Sequence, residues 1–203
     1  AIKAFAKWCK PHQEAVLLVH ADPYDSAAVF DTFKLIQTLG VQNRVLFTGM
    51  RYFQTFPYQQ LPEIYNVMDI YLSSTSGEGF GVCTIEAMAC EIPVLNTAYT
   101  TTDELITNHQ AGEPIKLVGT EYVNIFDVTS KEYDWKMMNG TITGSWTVER
   151  GLMDIDDCAE KLEKLYNDQE LRKQYGKNGR KAVLENYTWE KIVDRWHEVL
   201  QKI

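Results

Sequence analysis

The stretch Ser73-Ser-Thr-Ser-Gly-Glu-Gly-Phe-Gly-Val-Cys-Thr-Ile-Glu-Ala-Met-Ala89 begins at the end of a short apolar run and continues as a helix from about Gly81. Gly77, Gly79 and Gly81 alternate with other residues, and glycine permits positive φ and lets backbone N–H groups approach a ligand closely. The N–H groups at a helix N-terminus lack intrahelical partners and carry partial positive charge, which favours a diphosphate. A strand, a glycine-rich turn and a helix N-terminus in series therefore predict a phosphate-binding site. For the glycine turn alone, a tight turn without a ligand is an equally good interpretation.

Two glutamates favour the interpretation with a ligand. Glu78 lies in the turn and Glu86 one to two turns into the helix, so their side chains can reach opposite ends of a ligand laid across the helix start. Carboxylates accept hydrogen bonds from hydroxyls, and both a transferred sugar and a ribose supply such donors. The alternative is that Glu78 is merely solvated and that Glu86 stabilises the helix N-terminus electrostatically.

Short apolar runs alternate with helical patterns along the first half of the chain. The predicted strands are Ala15 to His20, Arg44 to Thr48, Asp69 to Ser73 and Ile92 to Asn96, and the predicted helices include Ala1 to Lys10, Ser26 to Leu39 and Leu61 to Met68. This alternation predicts βαβ units and therefore an α/β fold with a parallel sheet. Ligands of such sheets bind beyond the carboxyl ends of the strands, so we expect the chemistry in the loops that follow them.

The second half of the chain has a different pattern. Residues 113–150 mix Gly, Thr, Asn and aromatic residues without a persistent period, and we expect an irregular insertion there. Helical patterns return within 154–203, near Asp156 to Asn167, Gln169 to Asn186 and Thr188 to Lys202, and their expected N-caps are Asp154, Asp168 and Thr188. With 203 residues and 45% hydrophobic content, residues 1–203 are expected to form one globular unit.

Composition limits the classes of partner and site. A formal net charge of -8 at pH 7 disfavours nucleic acid, because that partner requires clustered Lys and Arg. Cys9, Cys83, Cys90 and Cys158 are too widely spaced for a structural zinc site or a redox pair, so we expect reduced thiols in a cytoplasmic protein. No run approaches the ~18 to 20 apolar residues of a membrane span, and no secretion signal is seen. Peripheral membrane association of a longer protein stays open.

The residues from Glu78 onward resemble a known family. Glu78-Gly-Phe-Gly-Val-Cys-Thr-Ile-Glu86-Ala-Met-Ala, followed by Ile92-Pro-Val-Leu, resembles the Glu-x7-Glu motif of the family-four retaining glycosyltransferases (glycosyl transferases group 1), which have the GT-B fold. Leu61-Pro-Glu-Ile-Tyr-Asn-Val-Met-Asp-Ile-Tyr-Leu-Ser-Ser resembles the segment entering that motif, and Val45-Leu-Phe-Thr-Gly49 an earlier strand and turn. The resemblance covers most of Ala1 to Glu104 and, weakly, the C-terminal helices. It implies the Rossmann-like, three-layer C-terminal half of a GT-B fold, which binds a nucleotide sugar.

The resemblance also assigns roles to residues. Glu78 would be the catalytic residue, holding hydroxyls of the donor sugar and stabilising charge without acting as a nucleophile. Glu86 would bind the ribose hydroxyls. The sugar and diphosphate would meet the amides of Gly79, Phe80, Gly81, Val82 and Cys83, and the nucleotide base would lie near Gly49, Met50 and Arg51.

The reaction implied is transfer of a sugar from a nucleoside diphosphate to a hydroxyl of a glycan, lipid or small-molecule acceptor, with retention at the anomeric carbon. GDP-mannose and UDP-hexoses are the donors expected from family habit, and no metal or other cofactor is implied because no DxD-type carboxylate pair occurs near the loops. Family members are longer, with an N-terminal acceptor domain and an Arg and a Lys that neutralise the donor diphosphate. Nothing in residues 1–14 matches that pair, so we expect an N-terminally incomplete chain that is inactive alone. The alternatives are a non-catalytic nucleotide-sugar-binding domain and a related GT-B phosphorylase or epimerase.

Three further groups of residues, in or next to the loops that follow the strands, are weaker candidates for the site. His20 ends a strand at the ligand-facing edge. The aromatic residues of the next loop either pack within it or face the acceptor, which we favour, or they flank a base: Tyr52, Phe53, Phe56 and Tyr58. The hydroxyls of Thr100, Thr101 and Thr102 either reach a phosphate or cap the helical segment Asp103 to Thr107.

Overall fold

The computed structural model describes residues 1–24, 31–49, 56–124 and 147–202. The elements in chain order are α1 (Ile2–Trp8), β1 (Leu17–Val19), α2 (Thr32–Thr38), β2 (Val45–Phe47), α3 (Leu61–Asn66), β3 (Tyr71–Ser73), α4 (Val82–Ala89), β4 (Val94–Thr97), β5 (Gly112–Ile115), β6 (Leu117–Asn124), β7 (Thr147–Met153), α5 (Ile155–Asn167), α6 (Gln169–Asn186) and α7 (Trp189–Leu200). A 3-10 turn, Tyr58–Gln60, leads into α3, and a π-helical segment, Asp103–Thr107, follows β4.

Two sheets of parallel strands form the scaffold. β1 pairs with β2, placing Leu18 opposite Leu46. β4 pairs in parallel with β3 on one side and with β5 on the other. Parallel neighbours require a crossover, which α4 supplies between β3 and β4. The predicted α/β fold with parallel strands is confirmed.

The sheet around β4 is covered on both faces. Val94 packs in an apolar cluster with residues of α4, the π-helical segment and α6, among them Met88, Leu105 and Val183. Leu95 packs in a second cluster, formed mainly by α1, β5 and α5. Successive residues of a strand point to opposite faces, so these two clusters make the three layers expected of a Rossmann-like fold.

A third cluster lies beneath β1 and β2 and joins α1 to α2. Its buried residues are Phe5, Ala6, Cys9, Ile36, Val41 and Val45. Trp8, on α1, packs against both the second and the third clusters. α1 therefore connects the β1–β2 sheet to the larger sheet.

The three predicted helix caps in the C-terminal part are confirmed. The side-chain oxygens accept from N–H groups of the first turn: Asp154 from Asp156 and Asp157, Asp168 from Leu171, and Thr188 from Lys191. For α2, the described cap is Asp31, which accepts from the Lys34 N–H at 2.9 Å. The cap predicted at Ser26 lies outside the described residues.

Residues 113–150 differ from the expected irregular insertion wherever they are described. β5 belongs to the parallel sheet, and β6 pairs antiparallel with β7, with Leu117 opposite Met153. Val118, Tyr122 and Val123 of β6 are exposed, so no buried face imposes the alternation by which a strand is usually recognised. Residues 125–146 lie outside the described part of the chain.

The C-terminal helix α7 packs on α6 and leaves several large apolar side chains exposed, including Trp189, Val193 and Trp196. In the described residues, no helix combines the length and apolar character needed to cross a bilayer.

Candidate functional site

The loops that follow β3 and β4 meet at the carboxyl edge of the larger sheet. The two strands are parallel neighbours, with Ser73 opposite Asn96, so their loops leave the same edge side by side. The N–H of Glu78, in the first loop, donates to Oγ1 of Thr100, in the second, at 3.1 Å. This hydrogen bond fixes the position of the Glu78 backbone, from which the predicted catalytic side chain extends.

α4 begins where the sequence predicts. Gly81 is its N-cap and has φ +90°, a left-handed conformation that favours glycine. Its carbonyl accepts from the N–H groups of Thr84 and Ile85 at 3.0 and 3.2 Å. The amides of Val82 and Cys83 precede these first helical hydrogen bonds, so they are the orphan donors of the helix start. Gly79 and Phe80 are exposed in the turn before them.

Glu86 lies in the second turn of α4, and its side chain is held from α3. The hydroxyl of Tyr65 donates to Oε2 of Glu86 at 2.7 Å. Burial, which has the largest effect, and this hydrogen bond together raise the pKa of Tyr65 well above its ordinary value. The phenol therefore stays protonated and remains a donor. Sequence reasoning missed Tyr65, although it lies within the segment that resembles the entry to the family motif.

The two predicted carboxylates act on the same neighbours. Burial, with contributions from Cys83, Glu78 and Glu86, raises the pKa of Tyr71 to about 12. The pKa of the Cys83 thiol is raised mainly by burial, next by the charge of Glu86, and to a smaller extent by the charge of Glu78. The charges of Glu78 and Glu86 therefore both act on Tyr71, in β3, and on Cys83, at the start of α4.

Thr100 and Thr102, two of the three threonines after β4, have different environments. Thr100 has φ +52°, which is unusual for a β-branched residue, and its hydroxyl accepts the Glu78 N–H. Thr102 is buried, accepts from Asn96 Nδ2 at 3.2 Å and donates to the Thr97 carbonyl at 2.5 Å. Thr102 is the N-cap residue of the π-helical segment, but its side chain makes no capping hydrogen bond, so the alternative in which it caps that segment is wrong.

β7 also contacts the glycine-rich turn, which was not predicted. The N–H of Gly151 donates to the Ser76 carbonyl at 2.9 Å, and Nη1 of Arg150 donates to the Gly77 carbonyl at 3.3 Å. A Cβ placed on Gly151 would lie 2.9 Å from Cγ of Tyr99, so this glycine allows β7 to pack against the loop after β4. No local pattern in the sequence indicates these contacts, because Arg150 and Gly77 are 73 residues apart.

The base-binding prediction is only partly within the described residues. Gly49 lies in the loop after β2 and has φ +77°. Met50, Arg51, Tyr52 and Phe53 lie outside the described part of the chain. His20 Nδ1 lies 2.8 Å from Thr48 Oγ1, so the loops after β1 and β2 are joined at their start.

Phe56 packs edge-on against His20, whereas Tyr58 is exposed. Within the described residues, no group of three or more His, Cys, Asp or Glu side chains is arranged to hold a metal ion.

Comparison with known proteins identifies the family. The sequence pattern of the family "Glycosyl transferases group 1" matches residues 1–117. The chain is 30% identical over 142 residues to the capsular polysaccharide biosynthesis glycosyltransferase CapM of Staphylococcus aureus, covering 68% of this chain and 28% of that protein. It is 24% identical over 198 residues to N-acetyl-alpha-D-glucosaminyl L-malate synthase of Bacillus anthracis, covering 98% of this chain and 40% of that enzyme. The chain therefore spans less than half the length of these relatives.

A solved structure supports the same architecture. The C-terminal domain of the glycosyl transferase group 1 family protein LpcC of Francisella tularensis superposes with a TM-score of 0.64 at 20% identity, covering 93% of this chain and 77% of that domain. At this identity the likeness concerns the fold, which is that of the C-terminal half of a GT-B enzyme.

Proposed function

This chain belongs to the glycosyl transferases group 1 family, and we propose that it forms the donor-binding part of a retaining glycosyltransferase. Its ligand is a nucleoside diphosphate sugar, whose sugar is transferred to an acceptor hydroxyl with retention at the anomeric carbon. The observation that carries this proposal is the joint arrangement of Glu78 and Glu86 around the N-terminus of α4, with Glu86 held by Tyr65.

In this proposal the diphosphate lies at the start of α4. The orphan amides of Val82 and Cys83, together with those of Gly79 to Gly81, donate to phosphate oxygens, and the partial positive charge of the helix N-terminus adds attraction. The net charge of -8 does not oppose this, because the attraction is local and short-ranged.

Glu86 binds the ribose and Glu78 binds the transferred sugar. The Tyr65 hydroxyl occupies Oε2 of Glu86 and orients the carboxylate, which accepts hydrogen bonds from neighbouring ribose hydroxyls. Glu78 is exposed in the turn and accepts from hydroxyls of the sugar. As the glycosidic bond breaks, negative charge grows on the diphosphate, and preorganised amides are suited to stabilise it. Glu78 positions the sugar and does not act as a nucleophile.

Titration calorimetry of this chain tests donor binding. The ligands are GDP, UDP and ADP, followed by GDP-mannose, UDP-glucose and UDP-N-acetylglucosamine, the last because one relative is named for an N-acetyl-α-D-glucosaminyl compound. We expect one base to be preferred and its binding to weaken in Glu86→Gln. The matched control is Glu113→Gln, because the Glu113 carboxylate also accepts from a tyrosine hydroxyl, that of Tyr175 at 2.6 Å. Failure of every nucleotide to bind at millimolar concentration would contradict the proposal.

We also propose that donor binding requires no divalent metal. The helix start and the glycine amides supply the positive potential that a metal supplies in other nucleotide-sugar enzymes. Addition of EDTA to the same titration is expected to leave the dissociation constant unchanged. A loss of binding that Mg²⁺ or Mn²⁺ restores would contradict metal independence without contradicting the donor site.

A further inference from the structure

The turn that carries Glu78 is held at three consecutive residues from outside itself. Ser76 and Gly77 accept through their carbonyls from Gly151 and Arg150 of β7, and Glu78 donates its N–H to Thr100. These partners come from two elements that are distant in sequence. These contacts do not involve the amides from Gly79 to Cys83, which follow Glu78 and lead into α4.

The contact of Arg150 with the turn is close and is not dictated by its strand neighbour. In the register of the hairpin, Arg150 stands directly opposite Glu121, yet its guanidinium reaches over to Gly77. A Cβ on Gly77 would lie 2.8 Å from Nη1 of Arg150, so a side chain at this position would displace the guanidinium.

The backbone of Thr100 adopts a strained conformation in this arrangement. Its φ of +52° is disfavoured for a β-branched residue. In that conformation its hydroxyl lies 3.1 Å from the Glu78 nitrogen. A strained backbone conformation persists only where surrounding contacts hold it in place. For Thr100, the hydrogen bond to the turn is such a contact.

We propose that β7 and the loop after β4 form a brace that fixes the Glu78 turn in its sugar-binding conformation, with Arg150 and Thr100 as positioning residues. This inference rests on the proposed function. Glycine at 77, 79 and 81 makes the free turn flexible, and ordering it on sugar binding costs conformational entropy. A turn that is already braced binds the sugar without that cost.

The test compares a nucleotide with its own sugar nucleotide, for example UDP with UDP-glucose or GDP with GDP-mannose, by titration calorimetry of the whole chain. The quantity measured is the ratio of their dissociation constants, which reports the contribution of the sugar. Arg150→Met retains the apolar stem and removes the guanidinium. Thr100→Val retains the branched shape and removes the hydroxyl. Each is expected to weaken sugar-nucleotide binding by about three- to tenfold and to leave nucleotide binding within about twofold.

Arg172→Met is the matched control. Arg172 is also a partly buried arginine whose guanidinium donates to backbone carbonyls, those of Leu165 and, at 2.9 Å, Tyr166, but it lies at the junction of α5 and α6. We expect this variant to lower the melting temperature and to leave the ratio unchanged. Loss of general stability is thereby separated from loss of positioning.

Several outcomes would overturn the brace. An unchanged ratio in both Arg150→Met and Thr100→Val overturns it, as does a native chain whose affinity gains nothing from the sugar. Equal weakening of nucleotide and sugar nucleotide in Arg150→Met would instead make Arg150 a phosphate ligand. If no nucleotide binds at all, the proposed function fails and the brace fails with it, a result distinct from the preceding ones.

Amide hydrogen exchange of the ligand-free chain provides a second measurement that does not depend on the donor. Thr100→Val is expected to speed exchange of the Glu78 amide, which loses its acceptor, while amides within α4 keep their native rates. Unchanged exchange at Glu78 would overturn the brace even if the binding ratio fell.

Discussion

At the residue scale, the hydroxyl of Tyr65 holds the Glu86 carboxylate that we propose binds the ribose. We expect Tyr65→Phe to weaken binding of the preferred nucleoside diphosphate by roughly three- to tenfold, because one hydrogen bond that orients Glu86 is lost. Binding of the corresponding 2′,3′-dideoxynucleotide should not change, since it offers Glu86 no hydroxyl. Titration calorimetry with the two ligands measures this difference.

Tyr175→Phe is the control for Tyr65→Phe. Its hydroxyl donates to the Glu113 carboxylate, so the same kind of contact is removed on a different side of the sheet. We expect this variant to bind the nucleotide normally. If Tyr65→Phe weakened both the ribonucleotide and the dideoxynucleotide, Tyr65 would support the packing of the site and would not orient Glu86.

Which site residues could be predicted from sequence depends on how local their roles are. Glu78, Gly81 and Glu86 belong to one strand, turn and helix start, and spacing alone placed them there. The partners that hold Glu86, Glu78 and the neighbouring Gly77 are 21, 22 and 73 residues away, and they are Tyr65, Thr100 and Arg150 respectively. Such pairs are set by the packing of the sheet and leave no local pattern.

At the scale of elements, the start of α4 depends on a glycine with positive φ. Gly81→Ala is expected to destabilise the chain by about 1–2 kcal/mol, because φ +90° is strained for alanine and its Cβ would lie 3.1 Å from Leu105 Cδ1. Gly79→Ala is the control, since among the described residues no atom beyond its chain neighbours lies within 4 Å of a Cβ there. Urea denaturation of both variants measures the free energies of unfolding. Equal stabilities would mean that the helix start adapts to a side chain.

The junction between β5 and α5 depends on Asp157. Burial opposes ionisation of this carboxyl, but hydrogen bonds from Lys161 and from the Lys116 N–H outweigh it and lower the pKa of Asp157. A lowered folded-state pKa gives stability that is present above the unfolded pKa of about 4 and is lost as the pH falls through the folded pKa. We therefore expect Asp157→Asn to cost about 2 kcal/mol at pH 7 and progressively less below about pH 4.

Asp156→Asn is the control for this pH dependence. Asp156 precedes Asp157 on α5 and pairs with Lys7 at the surface, where an ion pair contributes only about 0.5 kcal/mol. Urea denaturation at pH 7 and at about pH 3.5 measures both variants. A destabilisation by Asp157→Asn that is independent of pH would indicate lost packing and not a lost charge.

The elements themselves were predictable where a local signal fixes them. Asp154, Asp168 and Thr188 begin helices because each places a side-chain oxygen next to orphan N–H groups. β6 and β7 gave no such signal. Their pairing joins residues that are up to 36 positions apart, from Leu117 to Met153, and β6 presents apolar side chains to solvent. Pairing of this kind is determined by the tertiary fold and not by the period of either strand.

At the scale of the whole molecule, α1 links two sheets that are separate in the described residues. Trp8 contributes to the apolar clusters under both, and its Nε1 donates to Glu163 of α5 at 2.8 Å. His12, just beyond α1, lies 2.7 Å from the same carboxylate. Loss of Trp8 should therefore weaken the attachment of the β1–β2 sheet more than it weakens either sheet internally.

We expect Trp8→Ala to destabilise the chain by about 3 kcal/mol and to speed hydrogen exchange in β1 and β2 before β3, β4 and β5. Hydrogen exchange followed by mass spectrometry measures the order. Trp196→Ala is the matched control, because that indole is exposed on α7, and it should leave the exchange of all five strands unchanged. If Trp8→Ala sped exchange equally in all five strands, the two sheets would unfold as one cooperative unit, and α1 would be part of a common core and not a link between two.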